Sequence, residues 1–479
     1  MKDSAAQHKK MTETPIPRLI TSLAIPTVMS QLIMVIYNTA DTYFVSRIST
    51  AASGAVGVVF ALQAIIQAVG FGIAMGCQST VSRRLGEKKD DEAAVYANSG
   101  LLMTVLLGSL MLAAGLCTLR PLMRLLGATD SILPLACDYA KYILIGAPIM
   151  CASFLLNNIL RAEGHATASM IGLCAGGIVN IALDPLFIFV FKMGISGAAL
   201  ATILSQAVSL FILSTFFLRK KTIIRIDPKF ISRKFKTYWE LIRIGFPTIC
   251  RQGMASVASA LLNRGAVQYG ANIAVIPEGA SVAAAQAAIE EARDAALAAM
   301  TISNKIYMLV RNIIIGIGQG FQPVAGYNYG AGNRQRVKQA FKFSVLIGTV
   351  FCCAASAVLA VFAPQVISAF RGDALVVDVG SLALRFFCVS MPLMAYSTFV
   401  NQLYQCLGFS LCATVLASCR QGIFFIPIVL LLPRAIGLTG IQCTQALSDM
   451  LTFLVSIPFR IVFFKRVLDK SADSEAALT

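Results

Sequence analysis

Apolar segments of about 20 residues or more recur roughly a dozen times along the chain, and each is long enough to cross a lipid bilayer. Only 13% of the 479 residues are charged, whereas a soluble protein carries roughly 25%. One soluble core could not bury so much apolar surface. The pattern excludes a soluble enzyme and predicts an all-α integral membrane protein. Its twelve spans are predicted at about residues 18–47, 51–82, 93–118, 136–160, 167–191, 196–217, 239–269, 295–326, 337–363, 377–406, 411–432 and 440–464.

Basic residues are concentrated in every second connection and in both tails. The longest connection, between the sixth and seventh spans, carries eight Lys and Arg residues between Arg219 and Lys236. Because cytoplasmic loops of membrane proteins are enriched in Lys and Arg, we expect this linker and both termini to be cytoplasmic. The net charge of +17 then reflects membrane topology and not nucleic-acid binding.

Short phrases recur in the two halves of the chain. AIPT at residues 24–27 returns as GFPT at 245–248, and GCQ at 76–78 returns as GFQ at 320–322. Internal repeats of this kind are typical of transporters. The repeat predicts an N-lobe at 1–217, a basic linker at 218–238, a C-lobe at 239–465 and a cytoplasmic tail at 466–479.

The spacing between equivalent residues grows from 221 to 244 within the second half, which places about 23 additional residues at 271–293. We predict a turn at Pro277-Glu278-Gly279, then a helix from Val282 that runs into the eighth span, because this stretch is rich in Ala, Gln and Glu. The simplest interpretation is a tolerated insertion on the outer face.

Carboxylates inside a span cost about 2.5–3.5 kcal/mol on insertion scales, so they are candidates for function. Asp41 lies in the first span, and Asp184 lies in the fifth, one helical step after Asn180. Thr202 of the sixth span adds a hydroxyl oxygen. These four residues could carry a proton, because burial and like charge oppose full ionisation, or coordinate Na⁺. A polar cluster that only packs helices is the remaining alternative.

Residues on the face of Asp41 are candidates for a substrate cavity. Met34, Tyr37 and Asn38 precede Asp41 at helical spacings. Pro26 and Pro247 stand at equivalent positions inside the first and seventh spans, where proline is expected to bend a helix. A bend near Asp41 that depends on its charge would couple ion binding to the cavity.

The acidic site occurs once in the repeat, since Asp41 corresponds to Leu262 and Asp184 to Ile428. The second half instead carries arginines within its spans, and Asp449 is its one clear intramembrane acid. We expect some of these arginines to satisfy carbonyls or pair with Asp449. An organic cation should therefore prefer the first half. The arginines are Arg251, Arg311, Arg385 and Arg420.

Several longer phrases resemble one transporter family. They are AIPTVMSQLIMVIYNTADTYFVSRI, GCQSTVSRRLGEKKDDEA, LRAEG with NIALDPLFIF, GIGQGFQPVAGYNYGAGNRQRVKQA and CRQGIFFIPIVLLLP. The chain resembles the multidrug and toxic compound extrusion (MATE) family over nearly its whole length, closest to the DinF-like and MepA-like branch. The resemblance implies a V-shaped fold of twelve transmembrane helices in two six-helix pseudo-symmetric lobes.

The resemblance also implies export of amphipathic, often cationic drugs in exchange for H⁺ or Na⁺. Asp41, Asn180, Asp184 and Thr202 match the N-lobe cation site of DinF-like members, and Tyr37 and Asn157 match polar residues of the adjoining cavity. The NorM-like branch has acidic residues in the seventh and tenth spans. Here those spans carry Arg251 and Arg385, which argues against a C-lobe sodium site.

The sequence thus predicts a secondary antiporter, not an enzyme, that acts as a monomer and contacts drug-like substrates and membrane lipids. No cofactor is expected beyond the coupling ion: the 13 cysteines include no CxxC pair and there are only two histidines. A flippase or exporter of anionic or lipid-linked substrates, and a receptor or scaffold with a degenerate transport fold, remain alternatives.

Overall fold

The chain is helical throughout most of residues 2–274 and 281–469, the part that the computed structural model describes. The α-helices are Lys2–Glu13 (α1), Ile16–Ser46 (α2), Thr50–Gly86 (α3), Asp90–Cys117 (α4), Leu119–Leu125 (α5), Leu133–Ala162 (α6), Ala166–Pro185 (α7), Ile195–Leu218 (α8), Phe235–Gly270 (α9), Val282–Gly330 (α10), Arg334–Val361 (α11), Ala363–Ser368 (α12), Ala374–Cys406 (α13), Ser410–Ser418 (α14), Phe425–Ile436 (α15) and Leu438–Phe463 (α16).

The predicted spans correspond to long helical segments. Within the described ranges, ten segments are long and apolar enough to cross a membrane. The remaining two predicted spans lie in α9 and α10, which are 36 and 49 residues long but carry charged residues such as Arg251 and Arg311 in their interiors. The all-α membrane fold predicted from the sequence is confirmed.

Two predicted spans are not continuous α-helices. The fifth continues beyond Pro185 as a π-helical turn, Leu186–Val190, and the eleventh changes to a π-helical turn at Cys419–Ile423 between α14 and α15. A proline lies next to each turn: Pro185 ends α7 directly before the first, and Pro427 lies in the first turn of α15, directly after the second.

The extra residues of the second half lead into the longest helix of the described chain. Helix α10 begins at Val282 and runs for 49 residues to Gly330, as the Ala-rich composition predicted. The turn predicted at Pro277-Glu278-Gly279 lies outside the described residues.

The chain divides into two compact units. Unit 1 comprises residues up to 253 together with 316–341 and 403–411, and unit 2 comprises 254–315, 342–402 and the residues from 412 onward. These units are defined by contacts in space, whereas the lobe boundaries were predicted from the sequence repeat. The lobe boundaries therefore stay a prediction.

Local geometry repeats at the spacing found in the sequence. Gly164 and Gly408, 244 residues apart, both end a helix with positive φ, +83° and +87°. Asn157 Nδ2 donates to the carbonyl oxygen of Ser169 at 2.9 Å, and Asn401 Nδ2 donates to that of Ala413, twelve residues on in each case, at 2.7 Å. The connection between the fourth and fifth spans therefore has the same local geometry as the connection between the tenth and eleventh.

Glycines permit two close helix crossings inside unit 1. A Cβ atom on Gly76 of α3 would lie 2.2 Å from the carbonyl oxygen of Leu241, and one on Gly320 of α10 would lie 2.7 Å from Ala24 Cα. Beside the second crossing, Thr27 Oγ1 donates to the carbonyl oxygen of Gly316 at 2.7 Å. Backbones can approach this closely only where a side chain is absent.

The N-terminal helix α1 is hydrogen-bonded to three other segments of unit 1: the start of α4, the residue after α6 and the end of α10. Ser4 Oγ donates to Asp90 at 2.6 Å, and Gln7 Nε2 donates to the backbone oxygen of Glu163 at 2.6 Å. Asn328 Nδ2 donates to the backbone oxygen of Met11 at 3.0 Å. The sequence predicted a tail here, whereas the structure has a docked helix.

Glu163 is a fully buried carboxylate just after α6, where it fixes the start of the basic linker. The backbone N–H groups of Ile223 and Ile224 donate to its two oxygens at 3.1 and 2.9 Å. Burial raises the pKa of Glu163 from 4.5 to about 8, although these two donors oppose the shift. The folded protein therefore holds a proton at neutral pH that the unfolded chain releases.

Glu163 should make the stability of the wild type decrease as pH rises from about 4.5 to 8, because the proton is bound only in the folded state across this window. The slope can reach about 1.4 kcal/mol per pH unit. Glu163→Gln removes the titration, so its melting temperature in detergent should vary less between about pH 5 and 8. Glu13→Gln, at an exposed carboxylate, is the control. Parallel pH profiles for wild type and Glu163→Gln would contradict the assignment.

Candidate cation-coupling site

Helices α2 and α7 of unit 1 pack together through a glycine. A Cβ atom on Gly177 would lie 3.1 Å from Ile33 and 3.3 Å from Tyr37, so the two helices approach closely at this point. Asp41 follows Tyr37 by one helical step, and Asp184 follows Gly177 by two turns. Both predicted carboxylates therefore lie C-terminal to the point where α2 and α7 contact each other.

The four residues predicted to bind the coupling ion are all buried. Asp41 is 6% exposed, Asn180 2%, Asp184 0% and Thr202 7%. Asn180 Nδ2 donates to Asp184 Oδ1 at 3.4 Å, and the charges of Asp41 and Asp184 are close enough to interact. Asn180 thus contacts Asp184, and Asp184 interacts with Asp41; that the four residues together bind the coupling ion stays a prediction.

The site has more acceptor oxygens than hydrogen-bond donors. Within the described residues, Asp41 Oδ1, Asn180 Oδ1 and Asp184 Oδ2 are buried without a hydrogen-bond partner. Because the amide of Asn180 uses its nitrogen on Asp184, its oxygen is left as an acceptor. A buried acceptor without a donor is costly. A proton or a hard cation such as Na⁺ would satisfy such oxygens.

Tyr139 belongs to the same region but was not predicted from the sequence. It lies on α6, is 1% exposed, interacts with Thr202 and is close enough to both carboxylates for electrostatic interaction. Helical spacing alone could not reveal it, because the contact depends on how α6 packs against α8.

The predicted cavity residues have different surroundings. Met34, Tyr37 and Asn38 lie on α2 before Asp41, and Asn38 Nδ2 donates to the backbone oxygen of Met34 at 2.7 Å. Asn157 is 3% exposed, and its amide nitrogen donates to the backbone oxygen of Ser169, so this hydrogen bond links α6 to α7. A role of these residues in substrate binding stays a prediction.

Both predicted helix-bending prolines lie within long helices. Pro26 stands inside α2 and Pro247 inside α9. Ser30 Oγ donates to the backbone oxygen of Pro26 at 2.9 Å, one turn further along α2. Coupling between a bend at Pro26 and the charge of Asp41 stays a hypothesis.

Unit 2 contains an ion pair with Asp449. The sequence predicted such a pair but not which arginine forms it. Arg420 Nε donates to Asp449 Oδ1 at 2.7 Å, and Arg420 also donates to the hydroxyl of Tyr307. Asp449 is fully buried. The expectation that an intramembrane arginine pairs with Asp449 is confirmed for Arg420, whereas Arg385 is exposed.

Comparison with known proteins agrees with the fold. The family model MatE matches residues 26–186 and 284–431, more than half of the chain. The multidrug export protein MepA of Staphylococcus aureus is 24% identical over 459 residues, which cover 95% of this chain and 96% of MepA. An FAD transporter of Shewanella oneidensis is 25% identical over 453 residues, 92% of this chain and 93% of that protein.

Solved structures extend the likeness. A multidrug resistance MATE family transporter of the MOP superfamily, in an outward-facing conformation, superposes with a TM-score of 0.86 at 25% identity, covering 95% of this chain and 98% of that chain. A MOP superfamily transporter from Pyrococcus furiosus, described as having a reversed polarity of its binding pocket that suggests a different function, gives 0.85 at 26% identity, covering 96% and 99%.

The long apolar helices and these likenesses define a multi-pass membrane transporter. The chain belongs to the MatE family, the MATE transporters that its sequence resembles. Its family members are transporters and not enzymes, as predicted.

Proposed function

We propose that the chain is a secondary antiporter of the bacterial inner membrane that exports amphipathic, cationic drug-like compounds in exchange for H⁺ or Na⁺. The coupling ion binds at Asp41, Asn180, Asp184 and Thr202. Both termini and the basic linker face the cytoplasm, and the chain works as a monomer.

The observation that carries this proposal is the set of three buried acceptor oxygens without donors, on Asp41, Asn180 and Asp184. Isolated buried charges are expensive in a membrane-spanning region. Binding of a proton or Na⁺ removes this cost, so ion binding changes the free energy of unit 1. Such a change can drive transport if the substrate and the ion favour opposite states.

A cationic substrate fits the same region of unit 1. Asp41 and Asp184 can supply negative charge, and within the described residues Asp41 Oδ1 and Asp184 Oδ2 are buried without a hydrogen-bond partner. An organic cation and the coupling ion would therefore compete for the same carboxylates. Competition of this kind makes the exchange reciprocal.

The test is ethidium efflux from proteoliposomes that contain the purified full-length chain. An imposed proton or sodium gradient should accelerate efflux, and the effective gradient identifies the coupling ion. An ionophore that dissipates that gradient is the control and should abolish the acceleration. Efflux that neither gradient accelerates would contradict the antiport proposal for cationic substrates.

Export of an anionic compound is a second candidate function. It is favoured by the unbalanced arginines of unit 2 and by the likeness to the FAD transporter of Shewanella oneidensis. Efflux of an anionic dye under the same gradients, without efflux of ethidium, would favour this candidate.

A further inference from the structure

The cluster around Asp449 in unit 2 contains more cationic than anionic groups. Arg420 and Tyr307 both contact Asp449, and Arg311 lies one helical step after Tyr307 on α10. The charges of Arg311, Arg420 and Asp449 interact with one another. Two guanidinium groups therefore share one carboxylate.

Asp449 has no capacity left to neutralise a second arginine. Its Oδ1 accepts from Arg420 Nε at 2.7 Å and from Gln445 Nε2 at 3.2 Å. Its Oδ2 accepts from the hydroxyl of Tyr307, whereas Ser390 Oγ, 3.4 Å from Oδ2, has a nearer acceptor in the backbone oxygen of Phe387 at 3.1 Å. Both oxygens are thus engaged by groups other than Arg311, and one carboxylate balances the charge of one guanidinium group. The second positive charge is thus not compensated by Asp449.

Arg311 carries that uncompensated charge. Its side chain is half-buried, and its Nε atom is buried without a hydrogen-bond partner among the described residues. A buried guanidinium nitrogen without an acceptor costs free energy, and ionisable residues inside spans are retained where they contact ligands or each other. What Arg311 lacks is an anionic acceptor.

The first half of the repeat does not share this arrangement. At the spacing of 244 residues, Arg311 corresponds to Gln67 and Arg420 to Gly176, while Asp184 corresponds to Ile428. At each of these three pairs of equivalent positions, a charged residue in one half corresponds to a neutral residue in the other. The positive charge is therefore not a requirement of the shared helix packing.

We propose that Arg311 and Arg420 form an oxyanion-binding site for the carboxylate or phosphate group of an amphipathic compound. Guanidinium groups suit this ligand class because they present several N–H donors in a planar arrangement. The hydrogen bonds from Arg420 to Asp449 and Tyr307 orient its guanidinium group. The side chain of Arg420 is still 14% exposed. The identity of the ligand as a transport substrate rests on the proposed export function, whereas the binding itself does not.

Binding of carboxyfluorescein tests the proposal directly. The full-length protein is placed in phosphatidylcholine nanodiscs, and dye anisotropy is measured without an ion gradient. Arg311→Gln should raise the Kd about ten- to hundredfold, the range expected for loss of a charged hydrogen bond. Arg264→Gln removes an exposed arginine of the same unit and should leave the Kd unchanged. No binding by the wild type, or equal affinity in wild type and Arg311→Gln, would overturn the proposal.

A measurement on the wild type tests the proposal even if the Arg311→Gln variant misfolds. Inorganic pyrophosphate should displace the dye from the wild type, and failure to displace it would overturn an oxyanion site. Because no gradient is present, failure here is distinct from failure of ethidium efflux, which tests the antiport proposal.

The same assay distinguishes a free ligand from a lipid headgroup. Phosphatidylglycerol in the nanodiscs should weaken dye binding to the wild type more than to Arg311→Gln if a lipid phosphate occupies the site. An equal effect on both proteins assigns the site to a free amphipathic anion. An equal loss in Arg264→Gln and Arg311→Gln would attribute binding to net charge and overturn the proposal.

Discussion

Proteoliposomes that contain Asp41→Asn should expel ethidium no faster with an ion gradient than without one. The asparagine keeps the size of the side chain but cannot bind a proton or balance Na⁺. The acceleration that the gradient gives to the wild type should disappear. Asp184→Asn should give the same result, because both carboxylates belong to one buried site.

The matched control for both variants is Asp138→Asn. Asp138 is an exposed carboxylate on α6 that pairs with Lys141 at 3.1 Å, so its replacement should leave efflux unchanged. Retention of gradient-driven efflux in Asp41→Asn would remove Asp41 from the coupling mechanism. Equal losses in Asp138→Asn and Asp41→Asn would point to a general effect of charge.

Asp449→Leu should destabilise the protein by about 3–5 kcal/mol, the cost of breaking a buried ion pair by removal of one partner. Asp449 is fully buried and accepts from Arg420, Tyr307 and Gln445, so its loss leaves the charges of Arg420 and Arg311 without this anion. The measurement is the melting temperature of the purified protein in detergent. Asp378→Leu, at an exposed carboxylate of α13, should melt close to the wild type.

A double variant separates loss of the pair from loss of packing. Asp449→Leu combined with Arg420→Leu removes both charges, so it should be more stable than Asp449→Leu alone. A double variant that melts below Asp449→Leu would show that the ion pair is not what stabilises this part of unit 2.

Periodicity and hydropathy were sufficient to predict the helices. Spans of twenty apolar residues have one stable solution in lipid, because every backbone polar group must be satisfied within the segment. The candidate site followed for a related reason: a carboxylate such as Asp41 or Asp184 is rare in a span, so it stands out without a structure. Helical spacing then linked Asn180 to Asp184.

The remainder depended on packing between distant segments. Tyr139 is an ordinary aromatic in the sequence, and only the contact of α6 with α8 places it beside Thr202. Likewise, the sequence shows arginines within the spans of its second half but could not show that Arg311 Nε lacks an acceptor within the described chain. That Arg420, Tyr307 and Gln445 engage both oxygens of Asp449 is a property of three-dimensional geometry.

Helix α10 is longer than a membrane is thick. At 1.5 Å per residue its 49 residues extend about 73 Å, whereas a bilayer with its headgroups measures roughly 40–45 Å. If the helix is straight and lies along the bilayer normal, roughly 30 Å of it projects beyond the lipid surface. Such a projection offers an epitope for antibody fragments, which could enlarge a small membrane protein for electron cryomicroscopy without touching the candidate site.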